Sequence, residues 1–133
     1  ARVQRPSPRH GKRSHTAFTR LARAGPVSLW EARTHYPRLH QIRAHAAARG
    51  LRLLGETRYG QTPPLTRGEL QPRLRGSARD KPLFEPLALH LLRIEPANER
   101  ARERLAPLEH PPPHPWPALL KHFGLKKTLY KRA

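Results

Sequence analysis

Sixteen prolines and eight glycines punctuate this 133-residue chain. Proline cannot continue a helix interior or donate within a central strand, and glycine loosens both elements. The runs left between them are short, so the chain must be built from short strands and helices joined by turns. Residues 1–13 are interrupted by Pro6, Pro8 and Gly11 and read as a flexible basic arm. "SHTAFTRLARAGPVSLWEART" follows, with two partly alternating runs around "AGP". In the first run Thr16, Phe18 and Leu21 can share a face; in the second Val27, Leu29 and Glu31 alternate with Ser28, Trp30 and Ala32. This predicts an antiparallel hairpin with strands near 14–22 and 27–34.

"RLHQIRAHAAARG" places Leu39, Ile42 and Ala46 at helical spacing, with Gly50 as the C-terminal stop. "LRLLGETRYG" reads as a short apolar strand and a turn. Residues 61–82 read as a long basic loop, mobile or functional. A buried strand is expected at 87–94, then a helix in "ANERARERL" with alternating surface charge. "APLEHPPPHPWP" is a polyproline stretch, and "PWPALLKHFG" a last helix with Pro117 in its first turn. The resulting expectation is an α+β domain over 14–124, an antiparallel or mixed sheet with short flanking helices, followed by a basic tail at 125–133.

Charge narrows the partners. Lys and Arg total 27 against 9 acidic residues, a formal net charge of +18. Such an excess repels itself unless a polyanion is present, which points to nucleic acid. Arg dominates, and its planar fork suits bidentate phosphate contact and stacking on bases. No apolar run approaches spanning length and no lipidation signal is visible, so no membrane partner is expected. Cysteine is absent, which removes disulfides and thiolate metal sites. His40 and His45 are five apart and do not share a helix face well, so no metal site is expected. Trp30 and Trp116 can stack on bases or cover a core edge, and "PPPHPWP" can be a packed strap or a ligand for a proline-recognition domain.

The densest chemistry lies in "PRLHQIRAH". Arg, His and Gln clustered at a helix start can bind phosphate, fix a buried carboxylate, or simply form a basic surface helix. The wider stretch "GKRSHTAFTRLARAGPVSLWEARTHYPRLHQIRAHAAARGLRLLGETRYG" resembles the later part of the catalytic domain of RluA-type RNA pseudouridine synthases. Gly11, Lys12 and Thr16 match the family's Gly-Lys and following Thr; Arg38, His40, Gln41, Ile42, Arg43 and His45 match its R-x-H-Q-I-R-x-H core. Gly50, Leu54, Gly55, Tyr59 and Gly60 match the segment after it, and Leu87, Leu89 and His90 resemble an L-x-L-H strand. Order and spacing agree over residues 11–96.

The resemblance implies isomerisation of uridine to pseudouridine in rRNA or tRNA, in the cytoplasm or alternatively the mitochondrion, with no metal or organic cofactor. It implies that Arg43 is the salt-bridge partner of the catalytic Asp, holding that carboxylate ionised and aimed. Gln41 and His45 would position the helix. Arg38, His40, Lys12, Arg13, Arg73, Arg75, Arg79, Lys126 and Lys127 are the expected RNA contacts. Departures from the pattern are specific. Tyr36-Pro37 stands where the family has Thr-Gly, Leu51-Arg52 follows Gly50, and Glu56 replaces an Asp. The family's R-L-D motif lies upstream of these segments, and the 13 residues before the first expected strand hold no carboxylate. Asp80, the sole aspartate, is downstream and reads as a turn residue. The expectation is half of an active site, completed by an upstream segment or another chain, or else a non-catalytic RNA-binding relative associated with ribosomes or their assembly.

Overall fold

The computed structural model describes residues 11–60 and 63–125. The chain is an α+β protein of two small antiparallel sheets and short helices. It divides into two units, one of residues 1–16 with 36–89, the other of 17–35 with 90–133.

The first unit is organised around α1 (Gln41–Ala48). Its alanines favour a helix, and its end is set by Gly50 at φ 70°. Leu51 N–H reaches back to Ala46 O at 2.9 Å and Gly50 N–H to Ala47 O at 3.0 Å. This closure needs the left-handed backbone that glycine adopts without a Cβ clash. The next residues, expected to form a strand, are a coil and turn. They pack without a ladder: Ala88 N–H donates to Leu54 O at 2.8 Å. Gly55 lies so close to Pro86 that a Cβ there would collide with the Pro86 carbonyl oxygen. Among its described residues, Ala46 and Phe84 are the buried hydrophobic side chains of this unit.

Within the stretch expected to be one long loop, the chain forms α2 (Arg67–Leu70) and a 3₁₀ turn (Gly76–Asp80). Thr66 and Glu69 make a capping box, with Thr66 N–H and Oγ1 both donating to Glu69 Oε2 at 2.6 and 3.0 Å. The ends are tied by Arg67 N–H to Lys81 O (2.9 Å) and Leu83 N–H to Leu65 O (2.8 Å). Helix caps and a closed neck replace the irregular loop.

The second unit contains the expected hairpin, β1 (Ala17–Ala24) and β2 (Val27–Arg33), joined by Gly25-Pro26. Its register shifts between Arg20 and Ala22. Before the shift Phe18 faces Ala32 and Arg20 faces Trp30; after it Ala22 faces Leu29 and Ala24 faces Val27. Leu21 is the extra residue. Without this bulge Arg23 would pair with Val27 on the core face. With it, Arg23 pairs with Ser28, and Leu21, Ala22 and Ala24 pack on the buried Leu29, Leu120 and Leu125.

The expected strand at 87–94 shrinks to β3 (Arg93–Ile94). Pro86 removes one ladder donor and Leu89 N–H bends back to Leu87 O at 2.8 Å, so the apolar run does not extend. The expected helix in "ANERARERL" is one turn, α3 (Glu99–Arg102), capped by Asn98, whose Oδ1 accepts from Ala101 N–H at 2.9 Å. β4 (Leu108–Glu109) pairs with β3. α4 (Trp116–His122) has proline in its first turn, as expected, and closes like α1, with Leu125 N–H bonded to Leu120 O at 2.7 Å. Pro112 is buried in the polyproline stretch.

Candidate functional site

The R-x-H-Q-I-R-x-H stretch enters and begins α1 in the first unit, and its His40, Gln41, Arg43 and His45 side chains are each bonded to a particular neighbour. Gln41 is 4 % exposed. Its Nε2 donates to His15 O and Thr16 Oγ1, both at 2.9 Å, and its Oε1 accepts from Arg38 N–H at 3.0 Å. A buried amide must find such partners, so this side chain fixes residues 15–16 and the helix entry together. His45 supports the same stretch from the next turn, with Nδ1 2.9 Å from Thr16 Oγ1 and Nε2 3.4 Å from Ser14 Oγ. Both side chains tie residues 14–16 to the helix. Thr16, 25 residues before Gln41, supplies the hydroxyl on which both converge.

The opposite side of the motif faces the following turn. Arg43 Nε donates to Glu56 Oε2 at 2.7 Å and Arg43 Nη2 to Glu56 Oε1 at 2.6 Å. This is a bidentate, charge-assisted pair whose carboxylate is only 6 % exposed. Arg58 N–H and Tyr59 N–H also donate to Glu56 Oε1, at 2.7 and 3.1 Å. The Arg43 guanidinium, against the opposing pull of burial and with help from those two amides, holds the Glu56 carboxyl well below its usual 4.5, at about 2. The same pairing raises the pKa of Arg43. The Arg43 guanidinium also lies over the Tyr59 ring, 5.4 Å from its centroid. Tyr59 OH is 3.1 Å from His40 Nδ1, and the two rings meet edge to face.

Sequence reading expects an Asp from outside this chain on Arg43. The structure gives the Arg43 fork a partner within the chain, Glu56, thirteen residues on. Glu56 was recognisable only as a substitution in the resembling pattern; its role emerges because the reversal at Gly50 carries the chain back along α1. Of the five guanidinium N–H groups, the two bonded to Glu56 leave the Nη1 pair and one on Nη2.

His40 begins the helix at φ 56° and ψ 15°, a left-handed conformation unusual for a residue with a side chain. Arg38, Lys12, Arg13, Arg73 and Arg75 are exposed, as phosphate contacts must be. Arg79 differs: its Nη1 donates to Pro72 O and Leu74 O, both at 2.9 Å, and its side chain lies against Gly68. It holds the 67–80 segment together as well as facing solvent. Lys126 and Lys127 lie outside the described residues. Asp80 is exposed at the end of the 3₁₀ turn, the loop position expected of it. His90, in the second unit, directs Nε2 to His110 O at 2.8 Å. Trp30 is stacked under Arg20, 6.0 Å from its centroid, and Trp116 packs on the leucine cluster.

Among the described residues, no group of three or more His, Asp or Glu is placed to hold a metal ion. Among them, too, no helix is long and apolar enough to cross a membrane. Charge is uneven between the units: the described part of the first holds twelve Lys and Arg against four acids, and that of the second eight against five. The basic excess therefore concentrates on the unit that carries α1. Compared with models of known families, with curated proteins and with solved structures, the chain matches none.

Proposed function

We propose that this chain is the RNA-binding, arginine-bearing portion of an RluA-type RNA pseudouridine synthase, acting on rRNA or tRNA in the cytoplasm. The observation that carries this reading is the bracket around α1. Thr16, His40, Gln41, Arg43, His45 and Tyr59 of the resembling pattern, with Ser14 and Glu56 beside them, take part in side-chain bonds that bring stretches 14–16, 40–45 and 56–59 together. In the reaction the target uridine leaves the stack, its bond to the ribose breaks, and the base reattaches through carbon. Arg43 has three N–H groups beyond those bonded to Glu56 with which to meet a nucleophilic Asp supplied by another segment or chain. Arg38 and the exposed arginines of residues 73–75 would contact the RNA backbone.

One observation favours a second reading, a non-catalytic RNA-binding relative. Two donors of Arg43 are already committed to a carboxylate of this chain, so the arginine is explained without chemistry.

RNA affinity tests what both readings share. The log of the association constant for folded tRNA or an rRNA fragment should fall linearly with log salt, by about 0.7–0.9 per phosphate contact. Affinity for the folded RNA should exceed that for heparin at the same salt. Equal affinity for both would overturn the RNA reading, because charge alone would then account for binding.

A further inference from the structure

The turn entering α1 displays what a core would hide. Tyr36 is 83 % exposed and Leu39 is 89 % exposed, the two most exposed large apolar side chains among the described residues. Between them stand Pro37, which fixes the backbone φ, and the exposed Arg38. The turn is nevertheless held firmly. Arg38 N–H donates to Gln41 Oε1 at 3.0 Å, Gln41 N–H donates to Arg38 O at 3.0 Å, and Gln41 itself is buried. On its far side His40 is kept in the left-handed region and tied to Tyr59 OH. Backbone strain next to solvent-facing apolar groups persists only where the surroundings enforce it, and it concentrates at ligand-contacting positions.

An aromatic ring and an arginine on a rigid turn, in a unit with a large basic excess, match the chemistry of unpaired nucleobases. The ring offers a π face and the guanidinium can reach the phosphate, both from a backbone turn held by hydrogen bonds. A protein partner would meet the same apolar groups, but the local charge favours a polyanion. We infer that the turn at residues 36–40 is a nucleobase-stacking site, with Tyr36 carrying an unpaired base, Leu39 packing beside it and Arg38 holding the adjacent phosphate. This deepens the RNA reading above and rests on it: it names unpaired bases as the recognised feature and this turn as the surface.

The test compares two RNAs of equal length and charge, a stem-loop with an unpaired loop and a perfect duplex, using the full chain and its Tyr36→Ala, Leu39→Ala and Tyr36→Phe variants. The wild type should prefer the stem-loop. Tyr36→Ala should weaken stem-loop binding by about ten-fold or more and leave duplex binding unchanged, since one base stack accounts for a loss of that order. Tyr36→Phe keeps the ring and should bind like the wild type. A 2-aminopurine in the loop should be quenched by the wild type and by Tyr36→Phe, but not by Tyr36→Ala. Unchanged stem-loop affinity in Tyr36→Ala, with RNA binding otherwise intact, would overturn the stacking site and leave the RNA reading standing. Failure of the wild type to bind either RNA at low salt would overturn both. Because both side chains are exposed, circular dichroism of the variants should match the wild type.

Discussion

Replacing Glu56 by Gln isolates the pair that closes the α1 bracket. The substitution keeps the shape and one acceptor but removes the charge that Arg43 Nε and Nη2 meet at 2.7 and 2.6 Å. In the folded chain the carboxyl titrates at about 2 against an ordinary 4.5. At about 1.4 kcal/mol per pH unit, that displacement corresponds to about 3 kcal/mol as an upper bound. Solvent screening through the partly exposed Arg43 side chain reduces it to about 1–2 kcal/mol. The sign follows from the direction of the displacement. A carboxyl whose folded pKa is depressed stabilises the fold fully above its unfolded value, and that contribution disappears as pH falls through the folded value. The contribution of Glu56 should therefore be complete above about pH 5 and absent below about pH 2. Urea denaturation of wild type and Glu56→Gln at pH 7 should show a midpoint lower in the variant by about 1 M, taking a slope of about 1–2 kcal/mol/M. Repeated at pH 2, the two midpoints should converge. Equal stability at pH 7, or a gap that stays constant down to pH 2, would refute the assignment of Glu56 as the charged partner of Arg43.

Three further substitutions probe the fold that positions this bracket. Gln41→Leu leaves the His15 carbonyl and Arg38 N–H without their buried partner and should lower stability by about 2–3 kcal/mol in thermal denaturation. Gly55→Ala places a Cβ against the Pro86 carbonyl at a left-handed φ of 75°, and should lower the melting temperature by an amount equivalent to about 1–3 kcal/mol. Leu120→Ala, on α4 at a side chain 3 % exposed in the cluster with Leu29 of β2, should destabilise the second unit by about 2–5 kcal/mol, read as earlier loss of Trp fluorescence signal from Trp116.

Local signals in the sequence carried the elements they govern. "AGP" and the alternation around it locate the hairpin to within a few residues, and Gly50 and Gly124 end their helices where expected. The bulge was already present in the three-residue offset from Phe18 to Leu21, which strict alternation cannot accommodate. Thr66 and Glu69 are a capping-box pair in plain view inside a stretch read as loop. The strand expected at 87–94 reduces to Arg93–Ile94, because an apolar run bounded by prolines says nothing about whether a partner edge exists for it.

Contacts between distant residues are another matter. That Gln41, His45 and Arg43 form a bracket depends on Thr16 arriving from 25 residues upstream and Glu56 from 13 downstream. Periodicity and caps do not encode those meetings. The approach of Glu56 combines the local helix stop at Gly50 with the tertiary approach of Gly55 to Pro86, and only the first is written in the local sequence. The resemblance implies a carboxylate from elsewhere for Arg43, whereas the structure seats it on Glu56.

The proposal of an isomerase can be tested by tritium release. RNA carrying [5-³H]uridine loses its label to water when the base reattaches through that carbon. The protein as isolated from its source cells should release tritium from rRNA or tRNA. Its Arg43→Ala form should release none while keeping RNA affinity within about three-fold, a difference well below the 1.4 kcal/mol that separates ten-fold effects. RNA bound by both forms with no release from either would contradict the isomerase account and leave the chain an RNA-binding scaffold.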